Sequence, residues 1–217
     1  MKKALTGIIC VIVILAFLGW QALVAIHDHT STTDNHGSLN TLLDLLGRFG
    51  DTGKRAKAAY DKGDYATARK LYQQMAERGN SEAMLRVGVM CEQGKGGPVD
   101  NIQAVKWFRL LADRGDREGQ FAMGLAYGQG TGVAQDYSEA LGWYQKAAMQ
   151  GSPAARANLG MLYLNGQGVG PDRIEAQKWF ILAGQTGQKN RAVLDRSLTA
   201  DENAQAKKRA DEWGPGK

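Results

Sequence analysis

Three histidines, two cysteines, a series of glycine-rich loops and one basic triplet are the residues of this 217-residue chain whose types could do chemistry. Their spacing decides which chemistry is open. His27, His29 and His36 all fall in the polar, turn-rich stretch HDHTSTTDNHGS, residues 27–38. The pair His27-x-His29 could offer two imidazoles to a metal, but such a segment holds no further ligand in a fixed geometry, so no metal or cofactor is expected. Cys10 and Cys91 are too few for a disulfide framework, and no CxxC motif exists. Cys91 lies in an apolar helical pattern, where thiols are generally inert. The loops Gly94 to Gly97, Gly130 to Val133 and Gly166 to Val169 invite comparison with a phosphate cradle, yet they lack the strand before and the Lys-Ser/Thr after. Ser152, followed by Pro153, reads as a helix cap and not as a nucleophile. Without a histidine beyond position 36, no acid–base partner is at hand, and the chain reads as a non-enzyme.

Charge points the same way. The formal net charge is +5, but Lys2 and Lys3 precede a long apolar run, leaving 25 basic against 22 acidic side chains in the rest. The only dense basic cluster, Lys207-Lys208-Arg209, is flanked by Asp201, Glu202, Asp211 and Glu212. That pattern is the solvated side of a helix, and no nucleic-acid partner is expected.

Residues 4–26 carry no charge, and 23 residues at about 1.5 Å each reach roughly 34 Å, enough to cross a bilayer with some tilt. The run exceeds a cleavable signal core and lacks a clean small-x-small cleavage site, so a retained transmembrane anchor is expected over residues 1–26. No Lys or Arg follows until Arg48, which places the N-terminus in the cytoplasm and the rest on the far side, the periplasm in a Gram-negative cell. Residues 27–53 then form a polar linker with a short amphipathic helix, capped by Ser38 and bearing Leu39, Leu42, Leu43, Leu46 and Phe49.

Beyond the linker the sequence repeats every 36 residues. Gly88, Gly124 and Gly160 share this register, as do Gly94, Gly130 and Gly166; Asp100, Asp136 and Asp172; Trp107, Trp143 and Trp179; and Phe108, Tyr144 and Phe180. The units are 81–116, 117–152 and 153–188, with a partial unit at 54–80 and closing helices at 189–217. Each predicts two helices. The first opens on Asn80, Asp116 or Ser152 and closes at a glycine loop; the second opens on Asp100, Asp136 or Asp172, with Gln103, Glu139 or Glu175 placed as in a capping box. Ala104, Trp107, Phe108, Leu111 and Ala112 line one face before Gly115 ends the helix, and Gly151 and Gly187 stand at the same place later. Gly88, Gly124 and Gly160, inside the first helix, cost about 1 kcal/mol relative to Ala, so a packing reason is expected: a close approach of the second helix, with the tryptophans filling toward the neighbouring unit.

These residues resemble the Sel-like repeat family, relatives of the tetratricopeptide repeat, whose pattern A-x3-LG-x2-Y-x2-G-x-GV-x2-D-x3-A-x2-W-[YF]-x2-AA-x2-G stands nearly whole at Ala155 to Gly187. The resemblance implies an all-α, right-handed α-solenoid of helix-turn-helix repeats, preceded here by the one transmembrane helix. Departures are Cys91 in place of Tyr, Gly97 in place of Val and Gly119 in place of Ala; looser packing is expected in the first full unit, which holds the first two.

Open helical solenoids bind protein segments along the first helix of each unit. By analogy with tetratricopeptide arrays, the groove residues are Glu82, Leu85, Arg86 and Val89, then Phe121 and Leu125, then Asn158 and Met161; Leu85 and Phe121 would equally serve between helices. The expected role is a membrane-tethered scaffold for a protein or peptide partner. Two alternatives stand beside it. One is a cell-wall-pathway enzyme regulator or a β-lactam-binding or β-lactam-hydrolysing protein, although the relatives associated with that chemistry carry paired cysteines absent here. The other is a secreted effector, if a peptidase cuts near Ala25.

Overall fold

Each second helix starts on an aspartate because its first amides need an acceptor. Asp100 accepts from the amide of Gln103, Asp136 from Ser138 and Glu139, and Asp172 from Ile174 and Glu175. The computed structural model describes residues 51–214, and all regular structure among them is helical. The predicted anchor, linker and Ser38-capped helix lie outside the described residues. Among those described, no helix is long and apolar enough to cross a membrane.

The chain is helical at residues 51–61 (α1) and then forms α2 (Tyr65–Glu77), α3 (Ser81–Glu92), α4 (Asn101–Asp113), α5 (Arg117–Gln129), α6 (Tyr137–Met149), α7 (Pro153–Asn165), α8 (Arg173–Leu182), a 3-10 turn at Gly184–Gly187, α9 (Gln188–Ser197) and α10 (Ala200–Glu212). From α2 to α8 each helix packs on the next in chain order, and α10 returns to pack on α8. The result is an all-helical solenoid, with α3–α4, α5–α6 and α7–α8 as its full units. The predicted caps Asn80, Asp116 and Ser152 each accept from first-turn amides, and Ser152 is buried as that cap. The capping box is complete at Thr199 and Glu202; Glu175 turns instead to Lys178, at 2.5 Å, and to Arg209, at 3.2 Å.

The mid-helix glycines answer to aromatic rings. A Cβ on Gly124 or Gly160 would sit 2.5 Å from the ring of Tyr144 or Phe180, and one on Gly88 would overlap the ring of Phe108. The rings of the second helix therefore lie on bare backbone of the first. All three are buried, as is Tyr72 in the preceding unit, where Thr52 stands 36 residues before Gly88. Trp143, one residue earlier in the motif, joins a cluster made mostly of residues from preceding units, together with Met123 and Ala126 of its own, in line with the expected filling toward the neighbouring unit. Interior alanines complete the layer: Ala68, Ala104, Ala140 and Ala176 are all at most 1% exposed. An alanine presents a flat wall that lets neighbouring helices close up, at little side-chain entropy cost.

The loop glycines also join units. Gly96, Gly132 and Gly168 have φ of 79°, 74° and 70°, the left-handed region that only glycine adopts freely. A Cβ on each would overlap backbone at Tyr65, Asn101 and Tyr137 respectively, the first residue of the preceding unit's second helix. A turn and an inter-unit contact are thus one residue.

Two expectations are corrected. Looser packing at Cys91, Gly97 and Gly119 is not what these residues do. The Arg69 guanidinium fills the first two sites: its Nη2 donates to the Cys91 Sγ at 3.1 Å, and a Cβ on Gly97 would lie 2.5 Å from its Nη1. One unit later the corresponding trio is Val105, Tyr127 and Val133, a small residue facing two larger ones. Gly119 is buried in a tight crossing, where a Cβ would come within 2.7 Å of the Ala112 amide nitrogen. Second, α8 ends at Leu182, ahead of Gly187. Gly184 replaces the interior alanine found at Ala112 and Ala148, takes φ +59°, and turns the chain early. In the closing helices Leu194 is buried but Val193 is 65% exposed, so only one of the apolar residues of α9 serves the core. Trp213, just past α10, stacks edge-on against Trp179 at 5.5 Å.

Gly124→Ala should lower stability by about 1–3 kcal/mol through overpacking. Gly142→Ala, with nothing within 4 Å of the added carbon, should raise it by about 0.5–1 kcal/mol through helix propensity. Urea unfolding of the two variants reads the contrast. Gly97→Val should destabilise by displacing Arg69, while the triple change Arg69→Val, Cys91→Tyr, Gly97→Val, which copies the next unit, should recover at least about 0.5 kcal/mol of coupling. Strictly additive losses across that set would show three independent positions.

Candidate functional site

A functional surface on this stack has to come from what the first helices leave uncovered. On α3 the positions one turn apart, Glu82, Leu85, Arg86 and Val89, point away from the buried face formed by Ala83, Met84, Val87 and Met90. Glu82 and Arg86 are exposed and paired: Arg86 Nε and Nη2 both donate to Glu82 Oε1, at 3.0 and 2.9 Å. The same guanidinium lies 5.6 Å from the centre of the Tyr72 ring. Leu85 and Val89 are half-buried, and with Tyr60, Met90 and the Glu82–Arg86 pair they line an apolar cavity of about 260 Å³. A second cavity, of about 230 Å³, shares Glu82 and Arg86 and adds Lys54, Lys57, Tyr72 and Met75. The first four predicted groove residues are therefore brought together.

The other four are not part of that cavity. Phe121 and Leu125 are half-buried against the next core cluster, with the Phe121 ring 5.9 Å from Tyr144. Asn158 hydrogen-bonds the Tyr144 hydroxyl, so it serves an internal partner. Met161 is 36% exposed, and its sulfur accepts from Asn190 at 3.4 Å. Leu85 with Phe121, and Val89 with Leu125 and Met161, nevertheless occupy equivalent positions 36 residues apart. They form a stripe of partly open apolar side chains.

Tyr60, Lys54 and Lys57 were not anticipated. They lie on α1, the first helix of the incomplete unit, which has none of the pattern glycines that reveal the later first helices. The available signal was α1's place in the repeat frame. Lys95, in the following loop, donates to the Tyr60 hydroxyl at 2.6 Å and stands over the Tyr60 and Tyr65 rings, 4.8 and 5.2 Å from their centres. That contact fixes the tyrosine wall of the cavity.

Residues with chemical potential have structural positions. Burial pushes the Cys91 thiol up, and its sulfur already accepts from Arg69. Among the described residues no cluster of His, Cys, Asp or Glu is arranged to hold a metal ion. The three histidines lie outside them. In the basic triplet, Lys208 approaches Glu212 at 3.9 Å, and Arg209 reaches Asp172 and Glu175 at 3.4 and 3.2 Å, tying α10 to the start of α8.

Tyr144 links the candidate residues Phe121 and Asn158 to the core, and burial pushes its phenol up from 10.0 to about 12. The folded state thus favours the neutral hydroxyl. Its contribution to stability is complete below pH 10 and is lost as pH rises from 10 through about 12, because the unfolded chain ionises first. The loss approaches about 1.4 kcal/mol per pH unit in that window. Urea unfolding should show a smaller loss in Tyr144→Phe than in the unmodified chain, the remainder coming from Tyr72 and Tyr163, whose phenols burial also pushes up.

Comparison with known proteins agrees with this geometry. No curated protein matches the chain. A protective antigen present in uropathogenic Escherichia coli strains, displaying an SLR fold, is 32% identical with a TM-score of 0.66, over 77% of this chain and 39% of that one. The chain therefore spans about two-fifths of that antigen's length. A Sel1 repeat protein from Oxalobacter formigenes is 30% identical with a TM-score of 0.62, over 75% of this chain and 71% of that one. The Sel1 repeat model matches residues 46–80, 81–116, 117–152 and 153–187 in tandem, and on the strength of that match and of the helical pairs it predicts, the chain belongs to the Sel1 repeat family.

Proposed function

We propose that this protein is a membrane-tethered interaction scaffold that holds a protein or peptide partner against the open side of its first helices. Sel1 repeat proteins generally mediate protein–protein interaction. The observation that carries the reading here is the stripe Leu85, Val89, Phe121, Leu125 and Met161, all partly open to solvent along successive first helices. Apolar area left uncovered in this way yields roughly 25 cal/mol for each Å² that a partner removes from water. Five side chains on a helical stack offer that area with their backbone already ordered.

The tether rests on the uncharged run 4–26 behind Lys2 and Lys3. It keeps the N-terminus in the cytoplasm and the repeats on the opposite side, at the membrane surface. A tethered scaffold gains effective concentration toward other membrane-bound partners, so moderate affinity suffices.

Mild crosslinking of the full-length protein in its native membranes, followed by identification of what co-purifies, tests the reading. Met161→Glu combined with Leu85→Glu is the control; Phe121 is left intact because it braces Tyr144. A partner recovered by the unmodified chain and lost from the control is the expected result. Identical recoveries from both would move the contact off this face. Release of the chain from membranes by a carbonate wash would remove the tether.

A further inference from the structure

The scaffold reading leaves the partner's chemistry open, and the two cavities beside α3 narrow it. The inference rests on that reading and concerns its first unit. The apolar cavity, at about 260 Å³, lies below the roughly 300–1,000 Å³ of small-molecule sites. It suits one or two side chains from a larger partner. Its walls are Tyr60, Leu85, Val89 and Met90, with Glu82 and Arg86 beside them, so an aliphatic side chain entering it would meet mostly carbon.

The adjoining cavity is different in kind. Lys54, Lys57 and Arg86 line it against a single acid, Glu82. Arg86 is matched by Glu82, and Lys57 meets Asp61 at 2.5 Å, though both members of that pair are more than half exposed. Lys54 has no ion pair among the described residues, and Lys95 adds a cation beside Tyr60 at the other cavity. The excess charge is positive. The arrangement also belongs to this unit alone: where α3 has Glu82 and Arg86, α5 has Glu118 and Ala122, and α7 has Ala154 and Asn158. A device that merely held repeats together would recur with the repeat.

We propose that the groove between α1 and α3 receives an acidic segment of a partner protein, with an aliphatic side chain in the cavity bounded by Tyr60, Leu85 and Val89 and neighbouring carboxylates against Lys54 and Lys57. The aliphatic anchor supplies most of the affinity. The carboxylates set direction and select against basic segments, since like charges placed on Lys54 and Lys57 would repel them.

The test uses the full-length chain in detergent and the fluorescein-labelled peptide Gly-Ser-Leu-Asp-Glu-Leu-Gly-Ser, read by fluorescence anisotropy. Replacing Asp-Glu by Lys-Lys in the peptide, or both Leu by Ser, should each weaken binding by about tenfold or more. The variant Lys54→Glu, Lys57→Glu, both at exposed positions, should weaken the parent peptide by about fivefold and favour the Lys-Lys peptide. Raising salt to about 0.5 M should erase the difference between the two peptides. Equal binding of the acidic and basic peptides, no binding of either, or indifference to the lysine reversal would overturn the proposal. In the crosslinking experiment, a partner lost with Met161→Glu, Leu85→Glu but retained by the lysine reversal would leave the scaffold standing and remove this inference alone.

Discussion

The structure depends on an aromatic ring seated against a glycine. Phe108, Tyr144 and Phe180 each occupy the volume that a side chain at Gly88, Gly124 or Gly160 would need. This contact brings the two helices of a unit close together, and alanine recurs beside it among larger buried residues such as Met84, Met123 and Leu159. With Ala104, Ala140 and Ala176 fully covered, the helices approach by their backbones, and the large side chains are left to join one unit to the next. Trp143 does this by joining a cluster made mostly of residues from the preceding units. The loop glycines do it by letting a turn sit on the first residue of the previous second helix. Close packing within a unit thus forces the adhesion between units to come from a small set of positions, and those are the ones that recur.

Where the repeat is broken, the break is compensated locally. Arg69 is the clearest case, since a long cation replaces an aliphatic residue and two neighbours shrink to receive it. A partly buried guanidinium needs acceptors as well as space, and the Cys91 sulfur supplies one at 3.1 Å. That role accounts for an interior thiol without any reactivity. At the far end, Gly184 stops α8 early, and the returning α10 covers the exposed side of α8 with Ala206, Ala210 and Trp213. Arg156 stands over the Trp213 ring at 4.7 Å, and Arg209 binds the acids at the start of α8. A stack open at its end is closed here by one charged helix with a narrow apolar edge.

Helix order, caps and the aromatic register were legible in the sequence because each rests on a local rule repeated three times. Asp at an N-cap and Gly at a positive φ do not depend on distant partners. Non-repeating features were less legible. Reading Cys91 and Gly97 as loose packing treated each position alone, whereas Arg69, more than twenty residues earlier, was what filled them. Gly184 carried a visible signal, an alanine of the motif turned to glycine, but its effect depends on whether the helix has enough packing beyond that point to continue. In the site, Glu82, Leu85, Arg86 and Val89 followed from helical periodicity. The opposite wall, with Tyr60 and Lys57, did not, because α1 lacks the motif glycines that identify the later first helices.

The division between repeated and unrepeated residues also separates structure from recognition. The positions of the ring-on-glycine contact vary only between Phe and Tyr and are covered, so they cannot distinguish one partner from another. The open side of the first helices carries no such constraint. There the series runs Glu82, Glu118, Ala154 and Arg86, Ala122, Asn158, changing charge and size at each step while the helices beneath stay the same. Asn158 has been drawn inward to Tyr144, and Phe121 leans on the same ring, so the later units give part of this surface to stability. The first full unit does not, because Glu82 and Arg86 satisfy each other at the surface and leave Leu85 and Val89 open between them. Specific contact is therefore expected to concentrate at the end of the stack nearest residue 51, where uncommitted apolar surface and unbalanced positive charge coincide.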